Sequence, residues 1–266
     1  MTRPRIVLKF GSSVLPSPAQ LEGAAVEVER WLERGYQVLA VVSAFRGRTD
    51  DLYQVARDLA PGATDSDLAQ VVAIGELESL AQFTLVLNAR ATPTRALDTA
   101  MLAIKTAGPT LDAEPIDVNT ELLDRYFRQV SVVVMPGFLG RDVDNRPTLL
   151  GRGGSDLSAL FLAHALGCPC RLLKDTGGVH EWDPACRGPR PRRFSELSFE
   201  DALQLDDDVL QRKGTRFCAE RSFRFVVSGL GYAEGTAVGG PLTRLVPLAL
   251  PAGGVAGAPP RRPPRR

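Results

Sequence analysis

Leu149-Leu150-Gly151-Arg152-Gly153-Gly154-Ser155-Asp156-Leu157-Ser158-Ala159-Leu160-Phe161-Leu162-Ala163-His164-Ala165-Leu166-Gly167 is a glycine-rich loop that feeds a helix. Three glycines let backbone N–H groups approach a ligand closely, and Ser155 is placed to cap the helix that follows. Apolar residues at 157, 160, 161, 162 and 166 predict a largely buried helix, with Gly167 as its C-terminal stop. Unpaired N–H groups at a helix start, with the dipole behind them, favour an anion. Arg152 adds a planar fork suited to a carboxylate or phosphate. Taken alone, the loop fits a plain strand-to-helix turn with a surface arginine equally well.

Three other segments add to it. Arg5-Ile6-Val7-Leu8-Lys9-Phe10-Gly11-Ser12-Ser13-Val14 reads as a buried strand ending in a small-residue turn. Of the 32 Lys and Arg residues only Lys9, Lys105, Lys174 and Lys213 are lysines. In so arginine-rich a chain, Lys9 at the carboxyl end of a strand stands out as a compact ammonium that can follow charge on a phosphoryl group. Val38-Leu39-Ala40-Val41-Val42-Ser43-Ala44-Phe45-Arg46-Gly47-Arg48-Thr49-Asp50 is a second strand opening into a polar turn. Leu172-Leu173-Lys174-Asp175-Thr176-Gly177-Gly178-Val179-His180-Glu181-Trp182-Asp183-Pro184 is a third.

Strand and helix alternate along the chain. Strands are expected at 5–10, 37–43, 94–98, 115–118, 131–135, 170–174 and, last, 223–227, with a hairpin over 138–150 turning at Asp144-Asn145. Helices are expected at 19–34, 50–60, 119–128, 198–205 and 209–221, and a long one over 66–88 interrupted near Gly75. This alternation predicts an α/β fold: a three-layer αβα sandwich with a mostly parallel sheet and sites at the strand carboxyl ends. Residues 1–246 are expected to form one domain. The Pro-, Gly-, Ala- and Arg-rich stretch 247–266 is expected to be a disordered basic tail.

A chain of 266 residues, 44% hydrophobic, can bury one large core. Net charge of +1 argues against nucleic acid as a partner. No apolar run approaches the roughly 20 residues needed to span a bilayer, so no membrane partner is expected. Met1-Thr2-Arg3-Pro4 leads straight into the first strand, and cytoplasm is the expected location. Cys168-Pro169-Cys170 is too tightly spaced for a zinc site, and Cys186 and Cys218 complete none, so all four are expected to be reduced packing thiols and no protein metal site is expected. His164 and His180 are the only histidines, which leaves a serine–histidine hydrolase few candidates; His164 reads as structural.

The chain resembles the amino acid kinase superfamily, most closely the catalytic domain of aspartate kinases. The resemblance rests on Lys9 to Val14, Val41 to Thr49, Gly75-Glu76, Pro136-Gly137-Phe138 with Gly151 to Asp156, and Lys174 to Pro184, in the family's order. The first turn is one residue shorter than in aspartate kinases and looks more like a glutamate 5-kinase. The resemblance implies ATP-dependent phosphorylation of an amino acid's side-chain carboxylate, aspartate before glutamate, in amino-acid biosynthesis, with ATP and Mg²⁺ as cofactors and a homo-oligomer as the assembly. It places Lys9 and Asp156 at the chemistry. Lys9, Gly11, Ser12, Gly153, Gly154, Lys174, Asp175, His180 and Asp183 fall at the nucleotide. Ser43, Thr49, Glu76, Arg152 and Ser155 fall at the amino acid. The regulatory domains that follow many aspartate kinase catalytic domains have no counterpart in the sequence, so feedback control through one is not expected.

One region departs from the pattern. Where the family carries a second phosphate-binding lysine after the helix at 198–205, this chain reads Asp206-Asp207-Asp208-Val209-Leu210-Gln211-Arg212-Lys213, with Asp208 at the lysine's place. Lys213 or Arg212 could supply the charge from the next turn. Ala185 also stands where an arginine usually follows Asp-Pro. Two readings therefore stay open: an active kinase, or a non-catalytic relative that binds nucleotide or amino acid as a partner or regulator.

Overall fold

Alternation along the first strand, β1 (Arg5–Phe10), sets the layers: Ile6, Leu8 and Phe10 face one side of the sheet, Val7 the other. A sheet apolar on both faces must be covered on both. The Ile6 side packs on α1 (Leu21–Glu33) and α3 (Asp65–Ala89), through Ala24, Val28, Leu80 and Phe83 among others. The Val7 side packs on α4 (Thr120–Phe127), α5 (Gly154–Leu166) and α7 (Arg212–Glu220), through Leu123, Leu160 and Phe217. The structure, a computed structural model, describes residues 3–97, 101, 104–186, 191–205 and 209–246. The expected tail and Asp206 to Asp208 lie outside the described residues.

Among the described residues the main sheet has nine strands. In spatial order they are β13 (Arg244–Leu245), β10 (Phe194–Ser198), β12 (Thr236–Gly240), β11 (Phe225–Gly229), β9 (Cys170–Lys174), β1, β2 (Gln37–Val42), β6 (Val132–Pro136) and β3 (Thr94–Ala96). The run from β11 to β3 is parallel, and antiparallel pairing is confined to β11 with β12 and β10 with β13. The early strands spread to one side of β1 and the later ones to the other. That reversal opens a crevice outside the carboxyl ends of β1 and its neighbours.

A second sheet orders β5 (Glu114–Asp117), β4 (Lys105–Ala107), β7 (Leu139–Arg141) and β8 (Pro147–Leu149). Its Leu139 and Leu149 join Leu52 of α2 (Arg48–Leu59) and Ala69 and Val72 of α3 in a separate small core. The hairpin β7–β8 closes over Asp142 to Asn145, where Asn145 takes φ 62°.

The α/β sandwich agrees with the sequence reading, and several elements differ from it. The helix from Asp65 is continuous through Gly75. A Cβ at Gly75 would lie 3.1 Å from Ala44 Cβ and 3.1 Å from Leu52 Cδ1, so this glycine admits close packing and does not break the helix. Thr64 and Asp67 cap its start reciprocally. Ser155 does not cap α5: Gly153, at φ 75°, holds the N-cap position and Ser155 sits inside the first turn. The expected helices at 198–205 and 209–221 shrink to α6 (Phe199–Ala202) and α7. The strand ending at 227 is not the last, because β12 and β13 follow. Against the expectation of no membrane-length run, α3 is long and apolar enough to cross a bilayer; its Val72, Leu80, Phe83 and Leu87 are instead buried in the protein. Cys168, Cys170 and Cys218 are buried, while Cys186 is exposed and does not pack. Burial pushes the Cys168 thiol to about 11 and the Cys218 thiol to about 12, which keeps both protonated. The His164 ring packs edge-on against Phe217 and Phe223.

Phe83 is fully buried and meets Phe10 edge-on at 5.2 Å, joining α3 to the first strand. Phe83→Ala is expected to cost about 3–5 kcal/mol. Urea unfolding would read this as a lower midpoint with an unchanged slope.

Candidate functional site

Lys9 lies on the α5 side of β1, one residue before the strand ends, and is buried. The first turn of α5 presents Asp156 to it: Lys9 Nζ stands 2.6 Å from Asp156 Oδ1. Lys174, the last residue of β9, donates to the other carboxylate oxygen at 2.9 Å. One carboxylate, 3% exposed, is thus shared by two ammonium groups from adjacent strands. Burial alone would raise the Asp156 pKa, but the charges of Lys174 and Lys9 outweigh it and hold the carboxyl well below the usual range. Burial lowers the Lys9 pKa against the pull of Asp156. The cluster carries an excess of one positive charge in a dry setting.

Glycine chemistry makes room around it. A Cβ at Gly11 would lie 2.8 Å from Lys9 Nζ, so this glycine leaves room for the ammonium to fold over the turn after β1. Gly153 adopts the left-handed backbone that begins α5 and packs against Gln211. Phe138 N–H donates to Ser158 Oγ at 2.9 Å, and Ser158 donates to Gly154 O at 3.0 Å, which ties the Pro136-Gly137-Phe138 turn to the glycine loop.

These residues line a cleft of about 710 Å³. Lys9, Gly11, Ser12, Ser43, Thr49, Glu76, Arg152, Gly153, Gly154, Ser155, Asp156, Lys174 and Asp175, all singled out in the sequence, converge on it. His180 and Asp183 do not line it. His180 Nδ1 lies 3.1 Å from Gly178 O, and Asp183 accepts from Ala185 N–H in a local turn. Lys213, considered as a second cation, is turned instead to Asp112 and two carbonyls; Lys174 is the second ammonium in the cleft. Phe45, Asp50, Tyr53, Leu111, Phe138 and Gln211 also line the cleft and were missed. Tyr53 follows Thr49 by four residues and Asp50 by three on α2, a helical spacing that could have found it; Leu111 carried none.

Glu76 lies on the same cleft, on α3 and 3% exposed. Burial pushes its carboxyl up to about 8, against the opposing Ala44 backbone N–H and the Lys9 charge. Among the described residues its Oε2 has no hydrogen-bond partner. A buried acceptor left open on a cleft wall suits a cationic ligand group.

The cleft therefore has a cationic pair, a backbone cradle with an arginine, and a neutral buried acid. Lys9, Lys174, Gly11, Ser12 and Gly153 suit the phosphates of a nucleotide. Asp175, exposed beside Lys174, is the carboxylate that could hold Mg²⁺ jointly with phosphate oxygens, since Mg²⁺ needs only one or two protein carboxylates.

With its folded pKa near 8 against 4.5 for the free group, Glu76 keeps a proton that the unfolded chain releases. Its stabilising protonation is fully present below pH 4.5 and lost as pH rises toward 8. At ~1.4 kcal/mol per unit, the loss amounts to a few kcal/mol. Glu76→Gln should flatten that stretch of the stability–pH curve, read by urea unfolding at several pH values; equal slopes in both proteins would contradict the assignment.

The amino acid kinase family profile matches residues 4–230. An aspartokinase of Helicobacter pylori is 28% identical over 238 residues, covering 88% of this chain and 58% of the relative. An aspartate kinase of Pseudomonas putida is 30% identical over 219 residues, covering 81% of this chain and 53% of the relative. The chain thus spans little more than half the length of these relatives. The structure of E. coli aspartokinase III in complex with aspartate and ADP superposes with a TM-score of 0.77 at 21% identity, over 88% of this chain and 64% of that one. With the profile running from before the first lysine strand to beyond Gly229, the chain belongs to the amino acid kinase family.

Proposed function

We propose that this protein transfers the γ-phosphoryl group of ATP to the side-chain carboxylate of an amino acid, aspartate foremost and glutamate after it. The observation that carries the reading is the Asp156 carboxylate shared by Lys9 and Lys174 at the mouth of the glycine loop. A carboxylate oxygen attacks the γ-phosphorus, the bond to the β-phosphate oxygen breaks, and acyl phosphate and ADP leave. The nucleophile is already an anion, so no general base is needed. The protein has to bring two anions together and neutralise the charge that develops.

The residues divide that work. Lys9, fixed by Asp156 over the Gly11 turn, meets charge on the transferring group with little reorganisation. Lys174 serves the nucleotide phosphates from the adjacent strand. Mg²⁺, when bound, neutralises phosphate charge, with Asp175 as its protein carboxylate. Arg152 grips the substrate's α-carboxylate. Glu76 takes the substrate ammonium on its open oxygen, and Ser43 and Thr49 complete that wall.

The placement of His180 and Asp183 away from the cleft supports the second reading, a relative that binds without turnover. A coupled ADP-release assay with aspartate, glutamate and acetylated glutamate separates the two. Aspartate-dependent release is the expected result; binding of ATP and aspartate with no release would leave the binding module.

Self-association follows the same reading. Ile74, Leu77 and Leu85 form an exposed apolar stripe along α3. One stripe on one helix is self-complementary about a two-fold axis. Leu85→Glu should lower the mass seen by light scattering, and a monomeric parent would remove the proposal.

Two substitutions test the chemistry. Lys9→Ala should lower turnover by roughly 10²-fold or more, with a smaller change in ATP affinity. Arg152→Lys keeps the charge but loses the fork, so the KM for the amino acid should rise by about 10-fold or more while that for ATP holds. Steady-state kinetics in both substrates measure each.

A further inference from the structure

Lys213 is a cation in the first turn of α7, where the helix dipole disfavours one and that turn itself carries no acidic residue. Its position is therefore held by tertiary contacts. Nζ meets Asp112 Oδ1 at 2.7 Å, Leu150 O at 2.9 Å and Ala113 O at 3.0 Å, with Glu114 Oε1 at 3.2 Å. An ammonium has three protons, and three acceptors within 3.0 Å use them all. None is left for a phosphate.

What these contacts hold is the start of the glycine loop. Leu150 precedes Gly151, and Asp112 pairs with Leu150 across an isolated bridge. A Cβ at Gly151 would fall 1.9 Å from Asp112 Oδ1, so the Asp112 carboxylate is seated on the open face of that glycine. Two residues before Lys213, Gln211 packs on Gly153: a Cβ there would lie 2.6 Å from Gln211 Cβ. Gly214 lets the same turn rest on α5, with Leu160 Cδ1 3.0 Å from where its Cβ would be. The first turn of α7 thus pins the loop at both ends, and Arg152 is the residue between the two pins.

We propose that Lys213 is a positioning residue that holds the Gly151–Gly154 loop, and through it Arg152, in the geometry that receives the amino acid. It acts through Leu150 and Asp112, touching neither substrate. The inference rests on the kinase reading for what the loop receives, but the clasp itself can be tested without turnover.

The test uses the full chain with Lys213→Met, which keeps stem length and loses the donors, and Lys213→Arg, which keeps charge and donors. Hydrogen exchange of the amides at 151–154 is measured without ligand, alongside KM for aspartate and for ATP. Lys213→Met should speed loop exchange by about 10-fold and raise the aspartate KM by about 10-fold, the scale set by a modest misplacement of a binding group. The ATP KM and turnover should stay within about 3-fold. Lys213→Arg should recover most of both effects. If Lys213→Met fails to fold, Asp112→Asn should give the same split. Unchanged loop exchange would overturn the proposal whatever the activity. So would a parallel rise in both KM values with no recovery in Lys213→Arg, which marks a structural role only. If the parent protein never transfers phosphate, the kinase reading falls, and faster loop exchange with recovery by arginine still sustains the clasp.

Discussion

A buried carboxylate between two lysines is the constraint around which this structure is arranged. Asp156 binds Lys9 through one oxygen and Lys174 through the other. Removing three charges from water is costly, and close mutual contact is what offsets it. That contact needs β1 and β9 side by side, both ending at the same level, and α5 beginning directly above them. The parallel register Phe10 with Leu173 and Lys9 with Leu172 provides the first condition. The left-handed start at Gly153 provides the second, because it turns the chain sharply enough to aim the α5 first turn at the strand ends.

The cluster's surplus charge also gives the cleft a direction. Its cationic side sits on β1 and β9, and the buried Glu76 faces the same cleft from α3. A neutral acid there leaves the field of the lysines uncancelled. Electrostatics and packing are coupled at this wall. Gly75 brings α2 and α3 close, which buries Glu76 beside the Ala44 backbone and raises its pKa. The glycine that reads as a helix breaker instead admits the close packing beside Glu76.

Much of this was legible in residue patterns. Continuous apolar runs in β1, Gln37 to Val42 and Val132 to Pro136 placed the sheet, since a strand buried on both faces is apolar nearly throughout. Glycines at 11, 151, 153 and 154 marked places where backbone or an ammonium comes close to another group. Less legible were features without local periodicity. The strand Phe194–Ser198 and the pair β12 and β13 follow stretches whose pattern is weak, and their pairing partners decide them.

The sequence by itself determined the fold class, which follows from short-range periodicity; its resemblance to aspartate kinases, carried by short motifs, pointed to the family and to most of the cleft wall. Tertiary structure alone decided which charges meet. Lys174 rather than Lys213 joins Lys9, because β9 lies next to β1 while α7 turns its lysine to Asp112 and the Leu150 carbonyl. His180 and Asp183 share a motif with Lys174 yet leave the cleft, because the chain turns away after Gly177 and Gly178 to pair His180 with Arg193. Charge pairing depends on contacts between residues far apart in the chain, and no local pattern encodes it.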